Sequence, residues 1–336
     1  MFTYDDIITG NEEMLENIIK AKKYMDKDVP VMIYGETGTG KELFAQAIHS
    51  GSSKRTGEFV AQNCSNLARG VFESMMWGVS KGAFTGSVEK AGLFEVASGG
   101  TILLDEINSM EIAQQAKLLR VIENKRVLRV GASKSFDVDV KIITSMNDTP
   151  QNVLDKGIIR KDLFFRLAAG TLRMVPLRER PEDIDLYIDY FIGKYNEKYN
   201  EAFSGVTDEL RDMFNRHNWP GNVRELKQCL EAACILAKGN IVAVDDMPSF
   251  YFDLGMSLEV RDEVNFNPPE QGGRCSENTE TDKTNCNLAE SVRKYENEII
   301  RKALIKTGGN ITKTAKMLGI PRQTLQYKID RADSAE

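Results

Sequence analysis

The chain has 336 residues, 41% hydrophobic and 28% charged, with a formal net charge of -6. That is enough for about two or three soluble domains and too acidic overall for a generally basic nucleic-acid coat, although a local basic patch stays open. No positive region followed by an apolar run stands at Met1–Gly10, and no apolar stretch approaches the roughly 20 residues that cross a bilayer, so neither a secretory signal nor a membrane span is expected.

The five cysteines include no CxxC pair and the two histidines, His49 and His217, lie far apart. A zinc site or disulfide framework is therefore not expected, and reduced thiols in a cytoplasm are the natural reading. Residues 11–25 repeat at helical spacing, with Met14, Ile18, Ile19 and Met25 on one side. Val29-Pro30-Val31-Met32-Ile33-Tyr34 is an apolar run ending at glycine, as in a buried parallel strand. Gly35-Glu36-Thr37-Gly38-Thr39-Gly40-Lys41-Glu42 follows directly and leads into an amphipathic segment ending at Ile48. Strand, glycine-rich loop with lysine, and helix make a phosphate-binding loop. Backbone N–H groups converge on phosphate oxygens, the helix N-terminus adds partial positive charge, and Lys41 reaches the β and γ phosphates. Glu42 stands where the general pattern has Ser or Thr, so Mg²⁺ must be held differently.

Phe59–Cys64 reads as a second strand, with Asn63 either capping the sheet edge or sensing nucleotide. Gly82-Ala83-Phe84-Thr85-Gly86-Ser87 contains no acid, base or metal ligand. It is either a mobile loop holding Phe84 and Thr85 at its tip or a turn whose Phe folds back into the core. Thr101–Leu104 is a buried strand ending at Asp105 and Glu106, at the end where open parallel sheets bind ligands. Asp105 is expected to hold the Mg²⁺ shell and Glu106 to polarise the attacking water. Residues 115–123 read as a helix, and Val138–Ser145 as a strand ending near Asn147, which either contacts the γ-phosphate or water or merely forms a turn.

Arg160 and Arg166 flank an apolar segment, either as the solvated ends of a helix or as arginine fingers for a transferring phosphoryl group. From 176 to 248 the pattern is helical, over 184–198, 208–216 and 223–237. Arg224 opens the last of these against the helix dipole, which suggests an anionic target. Residues 251–287 carry eight acids against three bases, with Pro268-Pro269 and Gly272-Gly273, as in a flexible linker. In the tail, Leu288, Val292, Tyr295, Ile299 and Ala303 share a helix face, and two short helices follow over 311–318 and 321–329. Residues 301–331 hold eight bases and one acid, either the footprint of a helix-turn-helix on DNA phosphate or a solvated charged helical hairpin.

Together these stretches resemble the sigma-54-dependent transcriptional activators, or bacterial enhancer-binding proteins, over residues 1 to about 248 and 288 to 330. The resemblance rests on Gly35–Glu42, on Lys81–Gly86, on Gly99–Ile107 and on Phe165-Arg166-Leu167. It rests further on Pro176–Arg180, on Trp219–Leu226, and on Ala315–Ile320 of a Fis-type domain. Within the family the chain is most like activators of the arginine-utilisation type.

The resemblance implies an AAA+ α/β ATPase over 1–175, a helical lid over 176–250, an acidic linker over 251–287 and a Fis-type helix-turn-helix over 288–333. It implies ATP and Mg²⁺ as cofactors, with Asn63 coupling Glu106 to the nucleotide, Asn147 as first sensor and Arg224 as second. Arg160 and Arg166 would act in trans within a ring, typically a hexamer. Residues Gly82, Ala83, Phe84, Thr85, Gly86 and Ser87 would touch sigma-54 polymerase. Double-stranded upstream DNA would meet Lys313, Lys316, Arg322, Gln323, Thr324, Gln326, Tyr327 and Lys328. Three departures stand out: Ser87 for the usual Ala, Met75–Val79 for Glu-Leu-Phe-Gly-His, and Met146 for the usual Thr. The usual sensory domain does not precede the motor, so the expectation is a form controlled in trans or an incomplete start. A DNA-bound regulator or repressor whose motor does not productively engage sigma-54 is the alternative; a generic AAA+ unfoldase explains neither the 82–87 loop nor the tail.

Overall fold

The computed structural model describes residues 1–65, 69–84 and 87–253, and Ile311, Thr314 and Leu325. Met1–Asp262 and Glu263–Glu336 form two separate compact units. In the second, the three described residues are helical, with Thr314 and Leu325 fully buried. The residues expected to read DNA (Lys313, Lys316, Arg322, Gln323, Thr324, Gln326, Tyr327 and Lys328) and the linker from 254 on lie outside the described residues, as do Thr85 and Gly86.

In chain order the first unit contains α1 (Glu12–Tyr24), β1 (Val31–Tyr34), α2 (Lys41–Ser50), β2 (Phe59–Asn63), α3 (Arg69–Trp77), α4 (Leu93–Val96) and β3 (Thr101–Asp105). Next come α5 (Ile112–Asn124), a two-residue hairpin of β4 (Arg126–Val127) and β5 (Phe136–Asp137), then β6 (Lys141–Met146), α6 (Pro150–Asp155), α7 (Lys161–Leu167) and β7 (Gly170–Arg173). The helical remainder is α8 (Glu182–Tyr199), α9 (Asp208–Arg216), α10 (Asn222–Leu236) and α11 (Ser249–Asp253). It is laced by a two-residue pairing of β8 (Gly205–Val206) with β9 (Ile241–Val242).

Five strands form one parallel sheet in the order β2-β3-β6-β1-β7. Strand side chains alternate between faces with period two, and here each face has its own core. Met32, Ile102, Leu104, Ile142 and Met146 join a core built with Phe72, Trp77, Phe94, Leu118 and Leu163 from α3, α4, α5 and α7. Val31, Ile33, Leu103 and Ile143 join Met14, Ala21, Phe44 and Ile48 from α1 and α2. Both faces are covered, which is why β1 and the centre of β3 read as apolar runs, while β6 buries Lys141, Thr144 and Ser145 as well. The helical part has a third core around Trp219, Phe214, Leu226 and Ile188.

Trp77, which stands in the altered 75–79 stretch, is buried in the first of these cores. It stacks on Phe94 with centroids 5.4 Å apart and planes within 4°. Its Nε1 donates to Gln114 Oε1 at 3.1 Å. This stretch is therefore a packed helix end ahead of Gly78, whose φ of 79° turns the chain towards the 82–87 loop.

Candidate functional site

The sheet order sets the site. Gly35 follows β1, Asn63 ends β2, Asp105 ends β3 and Asn147 follows β6, so four strand ends put these residues along one carboxyl edge. Cross-strand register places Asn63 opposite Asp105 and Tyr34 opposite Met146.

Thr37, Gly38, Thr39, Gly40, Lys41 and Glu42 line one cavity of about 780 Å³ together with Asp105, Glu106 and Arg224. Gly40 caps α2 at φ 100°, a conformation that suits glycine. Gly38 approaches the helical part so closely that a Cβ on it would stand 2.1 Å from the Gly221 carbonyl oxygen. Lys41 Nζ donates to the carbonyls of Gly35 at 2.6 Å and Glu36 at 2.9 Å. Burial pushes the Lys41 amine below its ordinary range, and the nearby carboxylates of Asp105 and Glu106 pull it back. At the other end of the cavity Ile7, Ile8, Tyr187 and Phe191 give apolar and aromatic walls.

Asp105 is held by both oxygens. Ser145 Oγ donates to Oδ1, and Asn63 Nδ2 donates to Oδ2 at 3.3 Å. Asn63 Oδ1 in turn accepts from the Ser65 N–H at 2.8 Å and the Ser65 hydroxyl at 2.5 Å. The sequence reading tied Asn63 to Glu106; in this structure its amide pairs with Asp105, the residue directly across the ladder, because side chains at one register position share a face. Glu106 has a left-handed backbone at φ 53° and its N–H donates to Ser145 Oγ at 3.3 Å. Asn147 is exposed, and its Oδ1 accepts from Asn108 Nδ2 at 3.1 Å.

Glu36 belongs to the loop by sequence but turns its side chain away from it. Arg178 forms a fork on its carboxylate at 2.6 and 2.8 Å, and Asn222 Nδ2 donates to it at 3.2 Å. The Arg178 guanidinium is the main reason its carboxyl lies below the usual range. Asn222, fully buried at φ 51°, also donates to the Thr37 carbonyl at 3.0 Å and accepts from the Leu177 N–H at 2.8 Å. Arg180, fully buried, reaches Asp183 at 3.2 Å and the Thr39 carbonyl at 3.4 Å. The phosphate loop is thus stitched to the helical part by residues 140 or more positions away, a connection with no local signature in sequence.

Arg160 and Arg166 stand apart from the cavity. Both are exposed, Arg160 just before α7 with Asp162 of the first turn at 2.7 Å and Arg166 on α7 beside Glu123 at 3.4 Å. Buried Gln115 fixes the start of that helix, accepting from the Arg160 N–H at 2.9 Å and donating to the carbonyls of Met110 and Ile158. Phe84 is 57% exposed, so it does not return to the core. The base of its loop is paired through Val79 with Lys90 and with Val130. Ser87 Oγ accepts from the Phe84 N–H at 3.2 Å and donates to the Ser80 carbonyl at 3.4 Å.

Among the described residues no group of three His, Cys, Asp or Glu side chains is placed to hold a metal ion, and no helix is long and apolar enough to cross a membrane. Cys64, Cys229 and Cys234 are free and buried.

Residues 7–173 match the Sigma-54 interaction domain, residues 178–257 the AAA+ ATPase lid domain, and residues 291–331 the Bacterial regulatory protein, Fis family. The chain is 39% identical to the Transcriptional activator RocR of Bacillus subtilis (strain 168), over 98% of this chain and 69% of RocR. It is 36% identical to the Regulatory protein AtoC of Escherichia coli (strain K12), over 96% of this chain and 67% of AtoC. The crystal structure of NtrX from Brucella abortus in complex with ADP superposes with a TM-score of 0.70 at 27% identity, covering 97% of this chain and 68% of NtrX. The chain thus spans about two thirds of the length of each. By sequence and by fold it belongs to the sigma-54-dependent transcriptional activators, whose motor is an AAA+ ATPase.

Proposed function

We propose that the chain binds ATP with Mg²⁺ in the cavity above and hydrolyses it within a ring of its own copies, a hexamer in the first instance. It would use that cycle to open sigma-54 polymerase at promoters while its tail holds upstream double-stranded DNA. The working parts are an α/β motor over 1–175, a lid over 176–250, a linker over 251–287 and a DNA-binding domain over 288–333. The observation that carries the reading is the convergence of Gly38, Lys41, Asp105, Glu106 and Arg224 on one cavity. NtrX, a neighbour in fold, was crystallised with ADP and with ATP.

The residues present suit Mg²⁺. That ion is usually held by one or two carboxylates plus phosphate oxygens and water rather than by an all-protein cage. A single oriented carboxylate, Asp105, at a phosphate loop that lacks a hydroxyl after its lysine, is such a donor set. Once bound, the ion neutralises charge on the phosphates. In the protein's own part of the cycle, Lys41 exchanges the Gly35 and Glu36 carbonyls for phosphate oxygens. Glu106 orients the attacking water and takes its proton. Arg224, exposed at the cavity wall, reaches the nucleotide from the lid side. Arg160 and Arg166 do not line their own cavity and serve a neighbour's, where a guanidinium offsets charge developing on the transferred phosphoryl group.

The mechanical output leaves at residues 82–87. Phe84 and Thr85 carry no chemistry for hydrolysis, and Phe84 is presented to solvent. The deciding experiment is open-complex formation with purified sigma-54 polymerase. Wild-type protein is expected to open the promoter in ATP. Thr85→Ala keeps ATPase within twofold and loses opening; loss of ATPase instead would make the loop structural. Promoter binding without any ATP-dependent opening by wild type would favour the repressor reading.

A further inference from the structure

We propose that Ser145 is a positioning residue for ATP hydrolysis: one buried hydroxyl sets both the Asp105 carboxylate and the Glu106 backbone. The inference rests on the reading that Asp105 and Glu106 serve the metal and the water. Ser145 lies one residue past the Leu104–Thr144 pair that joins β3 to β6, so its side chain stands beside the end of β3. It is fully buried, and its strand neighbours Thr144 and Met146 are buried with it.

A hydroxyl has one proton to give and lone pairs to accept with. Ser145 gives its proton to Asp105 Oδ1, an acceptor-only carboxylate, and accepts from the Glu106 N–H at 3.3 Å. The two bonds are mutually consistent, and neither partner has a second protein group for the same atom among the contacts described. With Asn63 on Oδ2, the Asp105 carboxylate is fixed in rotation. The bond to Glu106 acts where it matters most, on a non-glycine residue at φ 53° whose left-handed turn aims the side chain into the cavity. A residue that holds a metal-side carboxylate by hydrogen bonding affects metal affinity or rate by about tenfold or more when removed.

The test uses the full chain and the variants Ser145→Ala, Ser145→Cys and Asp105→Asn, with Ser145→Ala also combined with Asp105→Asn. Two quantities are read: steady-state kcat and KM for ATP, and the Mg²⁺ concentration that half-saturates the Mg²⁺-dependent binding of a fluorescent non-hydrolysable ATP analogue. Ser145→Ala is expected to lower kcat about tenfold and to raise the half-saturating Mg²⁺ several-fold, with KM and Mg²⁺-free analogue binding within about twofold. Ser145→Cys nearly keeps the volume, loses most of the hydrogen bond, and shifts Mg²⁺ the same way, so a misfolded alanine variant does not decide the matter. In the Asp105→Asn background the alanine change adds no further Mg²⁺ shift. The proposal fails if both Ser145 variants keep wild-type kcat and Mg²⁺ dependence while Asp105→Asn is impaired, or if the Ser145 and Asp105 shifts multiply. Should Asp105→Asn itself behave as wild type, the underlying site assignment fails instead.

Discussion

Replacing Asn222 by alanine tests the seam between phosphate loop and lid. Asn222 is fully buried and makes three side-chain hydrogen bonds: from the Leu177 N–H, to the Thr37 carbonyl and to Glu36. Alanine leaves the buried Leu177 N–H unpaired, at a cost of about 1–3 kcal/mol. The Thr37 carbonyl and Glu36 lose one donor each, and Glu36 keeps Arg178, so this adds about 1 kcal/mol. Alanine also tolerates φ 51° less well than asparagine, adding roughly 1 kcal/mol. The expected loss is about 3–5 kcal/mol, referred to the lid and its junction. Urea unfolding of the full chain followed by tryptophan fluorescence reads it, since Trp219 sits in the lid core and Trp77 in the sheet core. The Trp219 transition should move to lower urea by about 1 M or more, and KM for ATP should rise several-fold because Thr37 and Glu36 lose a tether. Asn222→Asp keeps the acceptor for Leu177 but turns an anion towards Glu36, and should be no better than alanine. A loss under about 1 kcal/mol with unchanged KM would refute the idea that this residue joins the two parts.

Glu106→Gln should retain ATP-analogue affinity within about twofold and lower kcat at least a hundredfold; persistent turnover would remove it as the base. Arg166→Ala should be nearly inactive alone, yet activity should return on mixing with Glu106→Gln, because the second supplies a finger to the first one's intact cavity. No rescue would place the arginine in cis or make it structural. Stability should fall above about pH 9 through the buried thiols. Burial pushes Cys64 up to about 12 and Cys234 up to about 11, so over that window the unfolded chain has lost protons that the folded chain keeps. Each such thiol contributes a slope of about 1.4 kcal/mol per pH unit. Cys64→Ala should flatten the decline between pH 9 and 11 in unfolding titrations; an unaltered slope would show that this thiol titrates normally.

The strands most plainly written in the sequence are those with two buried faces, although the half-exposed edge strand β2 was legible too. Val31–Tyr34 and Thr101–Leu104 are apolar throughout because helices cover both sides. β7 escaped notice because Gly170-Thr171-Leu172-Arg173 has one large apolar residue. It is an edge strand, paired with β1 alone, and its second residue is exposed. Site residues at strand ends were legible for the same reason as the strands, since topology places every such end on one edge. Side-chain direction was not legible. Glu36 lies inside the glycine-rich run, yet its carboxylate belongs to Arg178, and no local pattern encodes a partner 142 residues on. Ser145 read only as the last residue of a buried strand, since a hydroxyl facing a carboxylate across a ladder becomes visible only when register is known.

These particulars bear on how a chemically inert loop can carry force. A tip transmits displacement only if its base is held and its end is free. Among the described residues of the 79–90 segment, the base is paired and Phe84 is exposed. Val79 exchanges backbone hydrogen bonds with Lys90 at 2.8 and 3.0 Å, and the Ser80 N–H donates to the Val130 carbonyl at 3.0 Å. Immediately before it, Trp77 is wedged between Phe94 and Gln114, so α3 and the loop base share one packed body. Phe84 stands out of that body, and the hydroxyl oxygen of Ser87, the departure from the usual alanine, accepts from the Phe84 N–H. The serine therefore links Phe84 to Ser80 at the loop base. The altered 75–79 stretch likewise replaces one packed helix end by another, since a buried tryptophan supplies the anchoring. In the proposed cycle neither departure removes a needed group, because the residues assigned to hydrolysis lie at the carboxyl edge of the sheet and the loop is assigned only a held base and the exposed Phe84.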